Sequence, residues 1–99
     1  MISLYKCMQE ESAAILAAAN KLNNNDVEKS LALLEKCSAN NNKLILTGVG
    51  KSGIVARKLA ATFTSIGLTS IFLNPLDALH GDLGIVNKGD ICILLSNSG

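Results

Sequence analysis

Ninety-nine residues, 48 % apolar and only 3 % aromatic, make at most one small domain with a modest helix-and-strand core. A formal net charge of +1 supplies neither the basic footprint of a nucleic-acid binder nor a polybasic membrane patch. No apolar run could span a bilayer, and the acidic pair Glu10-Glu11 argues against a signal peptide; three scattered cysteines and one histidine form no zinc set. The expectation is a cytoplasmic protein with reduced thiols, no metal and no cofactor.

From Ile2 to Leu22, the residues Leu4, Met8, Ile15, Ala19 and Leu22 recur at helical spacing. Asn23-Asn24-Asn25 interrupts them. A second helix is then expected with Asn25 as its cap and Glu28 three residues on, and Val27, Leu31, Leu34 and Cys37 or Ser38 form its inner stripe. The run Asn40 to Asn42 closes it as a loop. Beyond this helical hairpin the pattern changes to strand and helix in alternation. Leu44-Ile45-Leu46, within Lys43 to Thr47, is short and branched enough for a buried parallel strand. A glycine loop leads into a helix from Ser52 to Ile66 that presents Val55, Leu59, Phe63 and Ile66, with Gly67 where a left-handed cap is wanted. Ser70 to Leu73 is a second strand. Asn74-Pro75 reads as an N-cap and first helical residue, opening a short helix that ends near His80. Asn87 to Asp90 then turns the chain into a third strand, Ile91 to Leu95, and Ser96-Asn97-Ser98-Gly99 reads as a loop. Strands alternating with helices imply a parallel sheet. A third strand left as an unpaired apolar edge implies a longer protein continuing past Gly99.

The segment "LTGVGKSGIVARK" carries the first functional signal. Gly48, Gly50 and Gly53 have dinucleotide-loop spacing, and Gly50-Lys51-Ser52 resembles the end of a nucleoside-triphosphate loop. The triphosphate motif needs a glycine where Ile45 stands, inside the strand. The dinucleotide motif needs an acid at the end of the second strand, where Phe72-Leu73-Asn74 has none. What remains is a turn at a helix N-terminus, whose free N–H groups and dipole favour an anion beside the charge of Lys51. The plain structural alternative has the glycines merely permitting the turn, with Ser52 capping the helix. A strand order of 2-1-3 would bring Gly48 to Gly53 and Ser96 to Gly99 to one crevice. There Gly50, Ser52, Ser96, Asn97 and Ser98 make a cradle for a phosphate ester. His80-Gly81-Asp82 follows the second strand toward the same side of the sheet; Asp82 either fixes the histidine tautomer or caps the next turn. No nucleophile elbow for a serine hydrolase is present.

"GVGKSGIVARKLAATFTSIG", "NPLDALHGDLGIV" and "LLSNSG", in this order and spacing, resemble the sugar isomerase (SIS) family, most closely its arabinose-5-phosphate isomerases. The likeness is strong over Lys43 to Gly99 and only in pattern before it. The resemblance implies a three-layer, flavodoxin-like α/β sandwich, here incomplete: residues 1–42 form a helical hairpin and 43–99 the N-terminal part of an SIS domain. It implies interconversion of D-arabinose 5-phosphate and D-ribulose 5-phosphate for Kdo synthesis, a phosphorylated sugar as ligand, and a homo-oligomer, usually a tetramer. By motif, Lys51 carries over as catalytic, His80 as a substrate contact, Ser96 and Ser98 as the start of the phosphate loop, and Gly67 as a substrate-contacting backbone position. Moving a carbonyl between C1 and C2 needs a base and groups that stabilise the enediolate. Further acid–base residues of the family lie beyond the SNSG loop, so a 99-residue product is expected to lack part of the site. A non-catalytic SIS sugar-phosphate-binding module is the alternative.

Overall fold

A computed structural model describes residues 3–79 and 81–96 of the chain, which divides into two compact units, Met1–Ala32 and Leu33–Gly99. Helix α1 (Leu4–Asn20) starts at Ser3, whose hydroxyl accepts the Lys6 N–H at 3.3 Å. Its expected stripe is open: no residue of α1 is buried, and Leu4, Met8 and Ile15 are exposed. Helix α2 (Asn24–Ala39) is capped by Asn23 rather than Asn25. The Asn23 side chain accepts the N–H groups of Asn25 at 2.9 Å and Asp26 at 3.2 Å. Three asparagines in a row are equal candidates by propensity. A cap at Asn23 places Asp26 in the first turn, where its charge complements the helix dipole, and leaves Glu28 beyond it. In the second half of α2, Leu34 and Cys37 join the core of the second unit.

That unit is built on a parallel sheet of order β2-β1-β3, comprising β1 (Leu44–Gly48), β2 (Ser70–Phe72) and β3 (Ile91–Leu95). The central strand is covered on both faces, and Leu44, Ile45 and Leu46 are 0–1 % exposed. Register sets Leu46 level with Phe72 on one side and Ile93 on the other. Helix α3 (Lys51–Ser65) packs on that face through Ala56 and Ala60, whose small side chains let the helix approach the sheet. Both long connections end in the same way. Gly67 at φ +97° lets the Leu68 N–H reach the Phe63 carbonyl at 3.0 Å and its own N–H reach that of Thr64. Asn41 at φ 57° closes α2 with the matching pair, Asn42 to Cys37 and Asn41 to Ser38.

After β2, the Asn74 carboxamide accepts the Leu76 N–H at 2.9 Å and Pro75 opens α4 (Pro75–Leu79), as the dipeptide predicted. A 3-10 turn, Asp82–Ile85, follows, where the sequence offers Asp82 as the start of a turn. Strand β3 pairs only with β1 among the described residues, leaving Cys92 and Leu94 exposed.

At the N-terminal rim of the sheet, the Asp90 carboxylate ties β3 to the start of β1. It accepts the Lys43 N–H at 3.0 Å, the Lys43 ammonium at 2.6 Å and the Asn87 N–H at 2.7 Å, and its side chain is 1 % exposed. The Lys43 N–H first, then the Lys43 ammonium and the Asn87 N–H, hold the carboxyl well below the usual carboxylate range. A depressed folded-state pKa stabilises the fold above the unfolded value, about 3.9, and that stability is lost as pH falls toward the folded value. Asp90→Asn is therefore expected to lower Tm at neutral pH and to flatten the fall of Tm below about pH 4. Thermal scans across pH check this; parallel curves for the two proteins would contradict it.

Candidate functional site: the crevice at the C-terminal ends of the strands

The turn from β1 into α3 is closely fitted backbone. A Cβ on Gly53 would lie 2.6 Å from the Gly48 carbonyl oxygen, and one on Gly48 would lie 2.8 Å from the Ser52 carbonyl carbon. Gly50, at φ 61°, is the N-cap of α3, and no side chain caps this helix. Ser52 is thus the second helical residue rather than the cap. The turn reverses so sharply that a glycine takes the capping position, and the half-buried Ser52 hydroxyl makes no hydrogen bond among the described residues. Lys51 is exposed at the first helical position, and the first turn contains no acid. A cation at this end of a helix opposes the dipole, whereas α2 and α4 carry Asp26 and Asp77 in their first turns. Helix α1 likewise lacks an acid in its first turn, but α3 is the helix whose uncompensated N-terminus follows the glycine turn.

Parallel register brings Gly48 level with Leu95, so the bends leaving β1 and β3 emerge side by side. They enclose a crevice of about 560 Å³ lined by Thr47, Gly48, Val49, Ser52, Pro75, Leu94, Leu95 and Ser96. Ser52 and Ser96 therefore share one cavity. A second cavity of about 380 Å³ lies across the same glycine turn, on the β2 side, and Gly50 lines it together with Arg57, Phe72 and Asn74. Lys51 belongs to the wall of neither cavity and stands on the exposed surface beside them. Gly67 is not brought here. It follows the far end of the 15-residue α3, about 22 Å along the axis from the glycine turn. His80, Asn97 and Ser98 lie outside the described residues.

Arg57 was missed by sequence reasoning. Its guanidinium lies 4.1 Å from the centroid of the Phe72 ring. The pairing depends on β2 lying beside β1, which no local pattern reveals. No group of three or more potential metal ligands occurs among the described residues, and no helix there is long and apolar enough to cross a membrane.

The sequence profile of the SIS domain matches residues 38–99. The chain belongs to the SIS domain family. Among curated SIS relatives, the Escherichia coli arabinose 5-phosphate isomerase KpsF is 39 % identical over 97 residues, which are 98 % of this chain and 29 % of that protein. Two solved SIS relatives share the fold. A Bacteroides fragilis protein, described as a candidate phosphosugar isomerase involved in capsule formation, superposes with a TM-score of 0.80 at 36 % identity, over 96 % of this chain and 50 % of that one. An E. coli CFT073 protein solved in complex with arabinose 5-phosphate gives 0.78 at 39 % identity, over 95 % and 48 %. The chain spans less than a third of the length of the curated relatives it matches, 28 % of a Helicobacter pylori protein for example. The parallel three-stranded sheet and its helices are thus part of the SIS α/β fold.

Proposed function

We propose that this chain supplies the N-terminal part of a sugar-phosphate aldose–ketose isomerase that interconverts D-arabinose 5-phosphate and D-ribulose 5-phosphate. One observation carries the reading: the bends after β1 and β3 line a single crevice, with Ser52 and Ser96 both in its wall. Hydroxyls and the unpaired N–H groups of a helix's first turn are donors suited to phosphate oxygens, and Lys51 adds a full charge nearby. Supporting the substrate class, KpsF is an arabinose 5-phosphate isomerase by name and another relative was solved with that sugar phosphate bound.

In this reading residues 43–99 begin the SIS domain and residues 1–42 precede it as a helical pair. Gly50, Ser52, Ser96, Asn97 and Ser98 hold the phosphate, while Gly67, about 22 Å away past the far end of α3, is too distant to touch a sugar phosphate held there. Lys51 acts on the reacting carbonyl, which needs positive charge or hydrogen bonds as the enediolate forms, and His80 serves a sugar oxygen. The uncovered stripe of α1 supports association with further copies. The product would serve Kdo synthesis in the cytoplasm.

Incubating the intact gene product with arabinose 5-phosphate and measuring ketose 5-phosphate tests the proposal. Turnover is expected. Saturable binding without turnover would instead favour the non-catalytic sugar-phosphate module.

A further inference from the structure

We propose that Arg57 is a specificity-determining residue that reads the hydroxyl-bearing end of a phosphosugar whose phosphate lies against Ser52 and Ser96; this rests on the function proposed above. Arg57 lies four residues after Gly53, so both fall on the face of α3 that lines the 380 Å³ cavity. Stacking on Phe72 at 4.1 Å holds the plane of the guanidinium and leaves its N–H edges open. No hydrogen bond or ion pair uses those donors among the described residues, where the one ion pair is Lys43 with Asp90.

The two cavities adjoin, because Gly48, Val49 and Pro75 line both. A small ligand anchored in one can therefore extend across the glycine turn into the other. Arg57 is six residues beyond Lys51, about 9 Å along the helix, and lines the cavity that Ser52 and Ser96 do not. Ile54, Phe72 and Leu76 give its cavity apolar walls. With water partly excluded by those walls, a fixed planar donor discriminates between arrangements of neighbouring hydroxyls.

Isothermal titration of the intact gene product with D-arabinose 5-phosphate and with inorganic phosphate, for wild type, Arg57→Met and Arg57→Lys, tests this. Arg57→Met should weaken arabinose 5-phosphate binding about tenfold or more and leave inorganic phosphate binding unchanged. Arg57→Lys should recover only part of the loss, since lysine keeps the charge without the planar fork. Arg57 is exposed, so neither change disturbs the core. Equal weakening of both ligands would place Arg57 on the phosphate and overturn the inference, as would unchanged sugar-phosphate binding or full recovery by lysine. A wild-type protein that binds neither ligand would remove the phosphosugar reading itself, and this inference with it.

Discussion

If the intact gene product is the isomerase proposed above, Lys51→Met is expected to lower its turnover by about 10²–10⁴-fold while leaving the fold as stable or slightly more so. The two effects have separate causes. Lys51 is the first residue of α3, exposed, in a first turn without an acid. A cation at the positive end of a helix dipole costs roughly 0.3–1 kcal/mol, and methionine is about as good a helix former as lysine. Stability therefore gives no reason for lysine here, and the chemistry of the proposed reaction does. A charge beside the cradle can polarise the carbonyl or carry a proton as the enediolate forms. Steady-state kinetics with thermal denaturation of the same variant checks both halves. Unchanged turnover would remove Lys51 from the chemistry, and a large fall in Tm would make its role structural.

Leu46→Ala should cost about 2–5 kcal/mol of folding free energy, a large part of the roughly 5–15 kcal/mol that keeps a domain folded. Leu46 is 0 % exposed at the middle of the central strand, in one core cluster with Ala56, Phe72 and Ile93. The sheet on one side and α3 on the other prevent collapse into the space left behind, so the loss of burial and the cavity both count. Leu94→Ala provides the comparison. In the 99-residue chain Leu94 is 75 % exposed on β3, which pairs only with β1 among the described residues, and its replacement there should change stability by no more than about 0.5 kcal/mol. Urea denaturation of the two variants distinguishes them; similar losses would contradict the burial assigned to the central strand.

The features legible in the sequence were those with a local physical cause. Leu44-Ile45-Leu46 reads as a buried parallel strand because all three side chains are apolar and the run is short, and it is the most buried strand of the sheet. Asn74-Pro75 announces α4 because the cap and the fixed φ act within two residues. Alternation of strands and helices was enough to expect parallel pairing; the order β2-β1-β3, which sets the two bends side by side, entered only as the common doubly wound arrangement and is the order found. What stayed hidden depends on choices among equivalent residues or on distant neighbours. Asn23 and Asn25 carry the same side chain, and only the path of the backbone decides that Asn23 accepts the first-turn N–H groups. Gly50 displaces Ser52 as cap through the sharpness of the turn, a consequence of how closely Gly48 and Gly53 approach. The periodicity of α1 predicts a helix correctly, but not that its stripe would lie open. Arg57 over Phe72 and Asp90 with Lys43 join residues 15 and 47 apart in sequence, and only the assembled sheet brings them together.

The shared crevice is tested most directly by following backbone amide resonances of the intact protein during titration with arabinose 5-phosphate. The Ser52, Gly53 and Ser96 signals should shift together with one dissociation constant, while those of Lys43 and Asp90 at the opposite rim stay still. Shifts confined to one bend, or different constants for the two, would contradict a single phosphate held between them.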